Sequence, residues 1–153
     1  AYAAQSGQVG FLTSQIQWSF SETKEEYFKE FSAVVMDEIS YQWYLKNNMP
    51  VFAFSSQAQG FCAKLQTLGL DGLPDHLREH YASPENLVRY ERALTYAKEH
   101  KLPISALVVA YLTNNALPSV AIIGATKLSQ LDESMLGGEI NLTFDEVDAM
   151  YNV

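Results

Sequence analysis

The chain has 153 residues, 48% of them hydrophobic, with a net charge of -8 and a pI near 4.7. That is enough apolar material for one sizeable core, and ten scattered basic residues against eighteen acidic ones exclude a nucleic-acid surface, which needs clustered Lys and Arg. A single cysteine, Cys62, allows no internal disulfide, no run reaches the ~18 apolar residues of a membrane span, and AYAAQSGQVG has no basic-then-apolar signal pattern, so a cytoplasmic, reducing setting is expected.

In chain order, FLTSQIQW (11–18) has the β-branched and aromatic content of a strand that starts buried and turns polar, ending near Trp18. SETKEEYFKEF (21–31) reads as a short helix or an ordered loop, with Ser21 a weak cap. Asp37 caps a helix over 38–48, which Asn47-Asn48 and Met49-Pro50 stop. PVFAFSS (50–56) is a second strand, and its unbroken apolar character predicts a parallel strand covered on both faces.

The segment 57–82, with glycines at 60, 69 and 72, predicts a long loop holding one or two helical turns. Ser83-Pro84-Glu85 starts a helix that runs to His100. ISALVVAYLTNN (104–115) is a further, largely buried helix, SVAIIG (119–124) a third strand, and KLSQLDESM the helix behind it. Thr143 and Glu146 form a capping box that opens a short terminal helix within 143–153.

The order β-α-β-(loop-α-α)-β-α-α predicts an α/β fold with a parallel sheet and helices outside it. Three parallel strands leave raw edges and uncovered apolar faces, which makes a poor independent domain. They are fewer than half the strands of a (β/α)8 barrel of ~250 residues, so a missing N-terminal portion of about five units would complete one. A doubly wound domain, which usually has about five strands, is the alternative.

Three motifs carry more than pattern. SQIQWSF (14–20), VFAFSSQAQGF (51–61) and ISALVVAYLTNNALPSVAIIGATKLSQLDESM (104–135) fall in order, the first two and the Gly-Ala-Thr-Lys corner of the third each at the C-terminal end of a strand. Together they resemble the C-terminal part of the aldo-keto reductases, about strands six to eight of a (β/α)8 TIM barrel with their helices. The resemblance implies an oxidoreductase that binds NADPH, less often NADH, at the C-terminal ends of the strands and reduces aldehydes or ketones by hydride transfer. The family's catalytic Asp, Tyr, Lys and His come from strands two to four, so by this likeness none of them is in the chain, which is expected to hold cofactor without turning over substrate.

The same resemblance assigns roles. Gly124, Ala125, Thr126 and Lys127 would surround the phosphate of the adenosine ribose; a glycine for close backbone approach, a threonine able to cap, free first-turn amides and a cation suit an anion there. An ordinary strand-to-helix turn with a surface lysine is the other reading of that corner. Gln130, Glu133 and Ser134 share one helical face and match residues that contact phosphate and adenine, with Ser134 standing where the family usually has Asn.

Gln15 matches the residue that holds the nicotinamide carboxamide, which needs both a donor and an acceptor; otherwise it is a polar strand end bound to backbone. Phe54 matches the aromatic on which nicotinamide stacks, or is barrel core. Ser55, Ser56 and Gln57 would contact the pyrophosphate, although the family often has Pro and Leu at the last two positions. Trp18 and Phe61 read as core before they read as site.

His76 and His80, four apart but without a third ligand, do not predict zinc. Asp37-Glu38 and Asp132-Glu133 are adjacent acids pointing different ways, not catalytic pairs, and Cys62 lacks a cationic neighbour in sequence. Against the enzyme reading stand a non-catalytic NADPH-binding or regulatory module that pairs with another chain, and a small standalone α/β protein.

Overall fold

A computed structural model of the chain describes residues 2–29 and 33–153. Its first elements are helix α1 (Tyr2–Ser6), strand β1 (Ser14–Gln17), helices α2 (Glu25–Lys29) and α3 (Glu38–Lys46), and strand β2 (Val51–Phe54). After a 3-10 turn at Ala58–Gly60 come α4 (Phe61–Leu68), α5 (Asp75–Tyr81), α6 (Pro84–His100), α7 (Ile104–Thr113), strand β3 (Ser119–Ala121), α8 (Leu128–Leu136) and α9 (Phe144–Tyr151). The tail of the segment 21–31, read as a short helix or an ordered loop, lies at 30–31 outside the described residues.

Side-chain caps set several helix starts. Ser83 Oγ accepts from the Asn86 amide at 3.2 Å with Pro84 at the first helical position, and Asp37 Oδ1 accepts from the Ser40 amide at 2.7 Å. At α9 the Thr143 hydroxyl and the Glu146 carboxylate satisfy each other's backbone amides, the capping box read from the sequence.

The strands form one parallel sheet in the order β1-β2-β3, with Gln15 opposite Phe52 and Phe52 opposite Val120. Each strand lies beside the one before it, so the order never reverses as it does in a doubly wound sheet. Ile16, Val51 and Ala53 are fully buried beneath the helices, whereas Phe52, Val120 and Ile122 stay 37%, 48% and 39% exposed. The expectation that the second strand is covered on both faces is therefore corrected. Helices cover one face, while among the described residues the other is left open at Phe52, Val120 and Ile122, as on the inward face of an incomplete (β/α) barrel, which neighbouring strands would fill.

Behind the covered face α7 packs against α4, α6, α8 and β3, and its residues from Ala106 to Leu112 are all buried. An aromatic group ties the sheet exit to the chain's end: Trp18 and Phe20 meet Tyr111 edge-on at 6.1 and 5.3 Å, and Tyr111 stacks on Tyr151 at 5.0 Å. At the outer edge of β1, the Gln17 amide donates to the Val34 carbonyl at 2.9 Å and its carbonyl accepts from the Met36 amide at 2.8 Å, a one-residue parallel bridge.

The segment 57–82 carries more helix than a loop with one or two turns. Phe61 with Leu65, and Leu77 with Tyr81, are i, i+4 pairs buried against the core, and each organises its own short helix. The glycines that suggested a loop mark where the helices stop, as at Gly69, whose φ of 69° closes α4.

Candidate functional site

The C-terminal ends of β2 and β3 open into a cleft of about 550 Å³, within the usual range for small-molecule sites. Ser55, Ser56, Gln57, Gly124, Thr126, Gln130, Glu133 and Ser134 line it, and these come from two motifs, in groups at 55–57 and 124–134 that lie more than sixty positions apart.

The β2 side is an unusual piece of backbone. Ser55, Ala58 and Gln59 take φ of 51°, 49° and 55°, left-handed values that cost non-glycine residues on the order of 1 kcal/mol each. Hydrogen bonds hold the turn: the buried Ser56 hydroxyl donates to the Ile122 carbonyl at 2.7 Å, and Gln57 Nε2 donates to the Ser105 carbonyl at 3.3 Å and the Ser134 hydroxyl at 3.0 Å.

On the β3 side the corner differs from the sequence reading. Thr126 was expected to cap the following helix, but Lys127 takes the N-cap position, and lysine has no acceptor with which to cap. The work falls to Gln130, whose Oε1 accepts from the Thr126 amide and hydroxyl at 3.1 Å and from the Lys127 amide at 3.2 Å. Those two amides are thus already satisfied. Around Gly124 a Cβ would meet nothing within 4 Å, so the space beside it is open.

Glu133 accepts from the Ser105 hydroxyl at 2.5 Å, and the buried Ser134 donates to the Gln130 carbonyl at 2.7 Å. Ala125 and Lys127 are exposed beside the cleft and do not line it. Gln15 and Phe54 belong to the bare sheet face: Gln15 is exposed, and half-buried Phe54 meets Phe28 edge-on at 5.8 Å.

Sequence reasoning missed Ser105, Gln59 and Lys64. Lys64 Nζ donates to the Gln59 carbonyl at 2.8 Å, which holds a cation over the β2 turn. Among the described residues Lys64 and Glu133 are the charged lining groups, so the cleft is locally neutral in a chain of net charge -8. Gly60 to Lys64 is one helical turn, a spacing that flags the lysine. Ser105 carries no such signal.

Trp18 and Phe61 are core. His80 stacks on Tyr27 with ring centroids 3.7 Å apart, and among the described residues no three His, Cys, Asp or Glu gather into a metal-holding group. Burial pushes the Cys62 thiol up to about 11, despite its contact with Ser21 Oγ. A larger cleft of about 850 Å³ lies on another flank between Trp18, Tyr41, Arg89 and Tyr151 and contains none of the residues assigned to cofactor.

A sequence model of the aldo/keto reductase family matches residues 3–153. The chain belongs to the aldo/keto reductase family. Among curated proteins none matches it. Aldo/keto reductases are oxidoreductases that generally use NAD(P)H, and the parallel sheet with one helix-covered face accords with part of that family's barrel. Among the described residues of this aldo/keto reductase chain no helix is long and apolar enough to cross a membrane.

Proposed function

We propose that the chain is the cofactor-holding C-terminal portion, about strands six to eight, of a cytosolic NADPH-dependent aldo/keto reductase. The observation that carries this is the cleft at the ends of β2 and β3, where most of the residues assigned to the dinucleotide come together. Its donor set suits the ligand. The Ser55 hydroxyl and the Lys64 ammonium serve phosphate oxygens, the open space at Gly124 admits close approach, and Gln130 and Glu133 stand further along α8.

When bound, the reduced nicotinamide supplies a hydride from C4 to the carbonyl carbon of an aldehyde or ketone. The chain's own residues bind and orient. Gln15, with a donor and an acceptor, would hold the carboxamide, and the Phe54 ring would support the nicotinamide face. Lys127, beside the cleft, would meet the 2′-phosphate, which favours NADPH over NADH. By the resemblance, the acid-base groups belong to strands the chain does not contribute.

Fluorescence titration with NADPH tests the binding half of this reading: saturable micromolar binding supports it, and none at millimolar ligand refutes it. Turnover of a simple aldehyde by the purified 153-residue chain would refute the second half. The bare face of Phe52, Val120 and Ile122 also favours a second reading, a non-catalytic NADPH-binding module that pairs with another chain. In that case binding appears without the remaining barrel strands ever being supplied.

A further inference from the structure

Ser105 sits one residue inside the start of α7 and touches both walls of the cleft. Its carbonyl accepts from Gln57 Nε2 at 3.3 Å on the β2 side, and its hydroxyl donates to Glu133 Oε2 at 2.5 Å on the α8 side. Gln57 also donates to Ser134, and Ser134 to the Gln130 carbonyl, so a continuous chain of hydrogen bonds runs across the floor of the cleft.

We propose that Ser105 is a positioning residue that aims Glu133 at the exocyclic amine of the adenine ring; this rests on the dinucleotide reading above. The terminal torsion of a glutamate is broad and two-fold, so a free carboxylate samples many orientations. One hydroxyl bonded to Oε2 removes most of that freedom. Among the described residues no hydrogen bond reaches Oε1, which leaves that oxygen of a cleft-lining side chain with its acceptor capacity unused.

A fixed acceptor selects for a donor. Adenine presents an amino group at C6, whereas hypoxanthine presents a carbonyl oxygen at the same place, which a carboxylate repels. Lys64, the other charged lining group, is engaged with the Gln59 carbonyl on the β2 side, away from this contact. Ser105 therefore acts on base choice through Glu133 and not by touching the ligand's phosphates.

The test is a titration of the chain, as wild type, Ser105→Ala and Ser105→Thr, with NADPH and NADH and with reduced nicotinamide hypoxanthine dinucleotide, followed by ligand fluorescence. Wild type is expected to prefer the adenine forms roughly tenfold, the equivalent of one hydrogen bond to a charged acceptor. Ser105→Ala should cut that preference by about threefold or more, and Ser105→Thr should keep it. If wild type binds no dinucleotide, the cofactor reading itself fails. If it binds without preferring adenine, or if Ser105→Ala weakens all ligands in proportion or leaves the preference intact, the positioning role is overturned while cofactor binding stands.

Discussion

The Gln57 side-chain amide donates to the Ser134 hydroxyl at 3.0 Å, joining the left-handed turn after β2 to the middle of α8 across 77 positions. Ser134 is 4% exposed and holds hydrogen bonds to Gln57 and the Gln130 carbonyl, so a larger side chain there has to displace those neighbours. The family's usual Asn is therefore expected to do harm in this chain. Ser134→Asn should cost about 1–3 kcal/mol by overpacking and lower dinucleotide affinity, with denaturant unfolding and titration as the measurements. Ser134→Ala should cost nearer 1 kcal/mol, since it removes one hydrogen-bond partner.

Two glycines in the same region should behave in opposite ways. A Cβ on Gly137 would stand 2.6 Å from the Ala106 carbonyl oxygen and 2.7 Å from Val109 Cβ, both on α7, so Gly137→Ala is expected to lower stability by roughly 2 kcal/mol. At Gly124 the same methyl meets only open space. Gly124→Ala should leave the unfolding midpoint within about 0.5 kcal/mol of wild type and weaken dinucleotide binding. A fall in stability at Gly124 comparable to that at Gly137 would contradict the open corner.

Acid sensitivity centres on Glu22. Partial burial pushes its carboxyl up, but the Tyr151 hydroxyl at 2.6 Å and the Arg89 guanidinium at 2.9 Å outweigh that and hold it below the usual carboxylate range. A carboxyl depressed in the folded state stabilises above its unfolded value near 4.3 and loses that stabilisation as pH falls through the folded value. Glu22→Gln should therefore be less stable than wild type at pH 7, and the gap should close on acidification below about pH 4. Urea midpoints measured across that range decide it; a gap independent of pH would rule out the ionic contribution.

Arg89 anchors the same group. It is almost fully buried, donates to the Tyr151 carbonyl at 2.8 Å and lies 4.1 Å over the Tyr151 ring. Arg89→Lys keeps the charge and loses the planar fork, so it should recover little of the roughly 2 kcal/mol expected to be lost in Arg89→Ala. Thermal unfolding of the pair is the measurement.

Cys62 is buried and its thiol is raised to about 11, so at pH 7 it is a poor nucleophile. A maleimide should label the native chain at the rate of global or local opening and label the urea-unfolded chain within the mixing time. Rapid native labelling would mean that α4 does not stay packed.

Helix starts were legible because capping is local chemistry: Ser83-Pro84, Asp37, and Thr143 with Glu146 stand where three or four adjacent residues predict them. Strand faces were not. Val51, Phe52, Ala53 and Phe54 are all apolar, and an unbroken apolar run does not say which side a helix will cover. The two halves of the cleft could be assembled only through the resemblance, since no spacing rule brings Ser56 to Ile122. Ser105 was invisible because a serine in the first turn of a buried apolar helix has no sequence mark; only the folded distance to Glu133 distinguishes it.

The bridge between Gln17 and Val35 has a bearing on how the sheet could grow. At that step the outer rim of β1 is not vacant, because the chain has folded its own Val34–Met36 segment onto it with two backbone hydrogen bonds. A strand arriving to extend the sheet past β1 would find Ser14 to Ile16 as its berth and would have to compete for Gln17. Joining on that side is thus a displacement reaction, with bonds surrendered for bonds gained, and its rate would be set by how readily the chain lets go of itself.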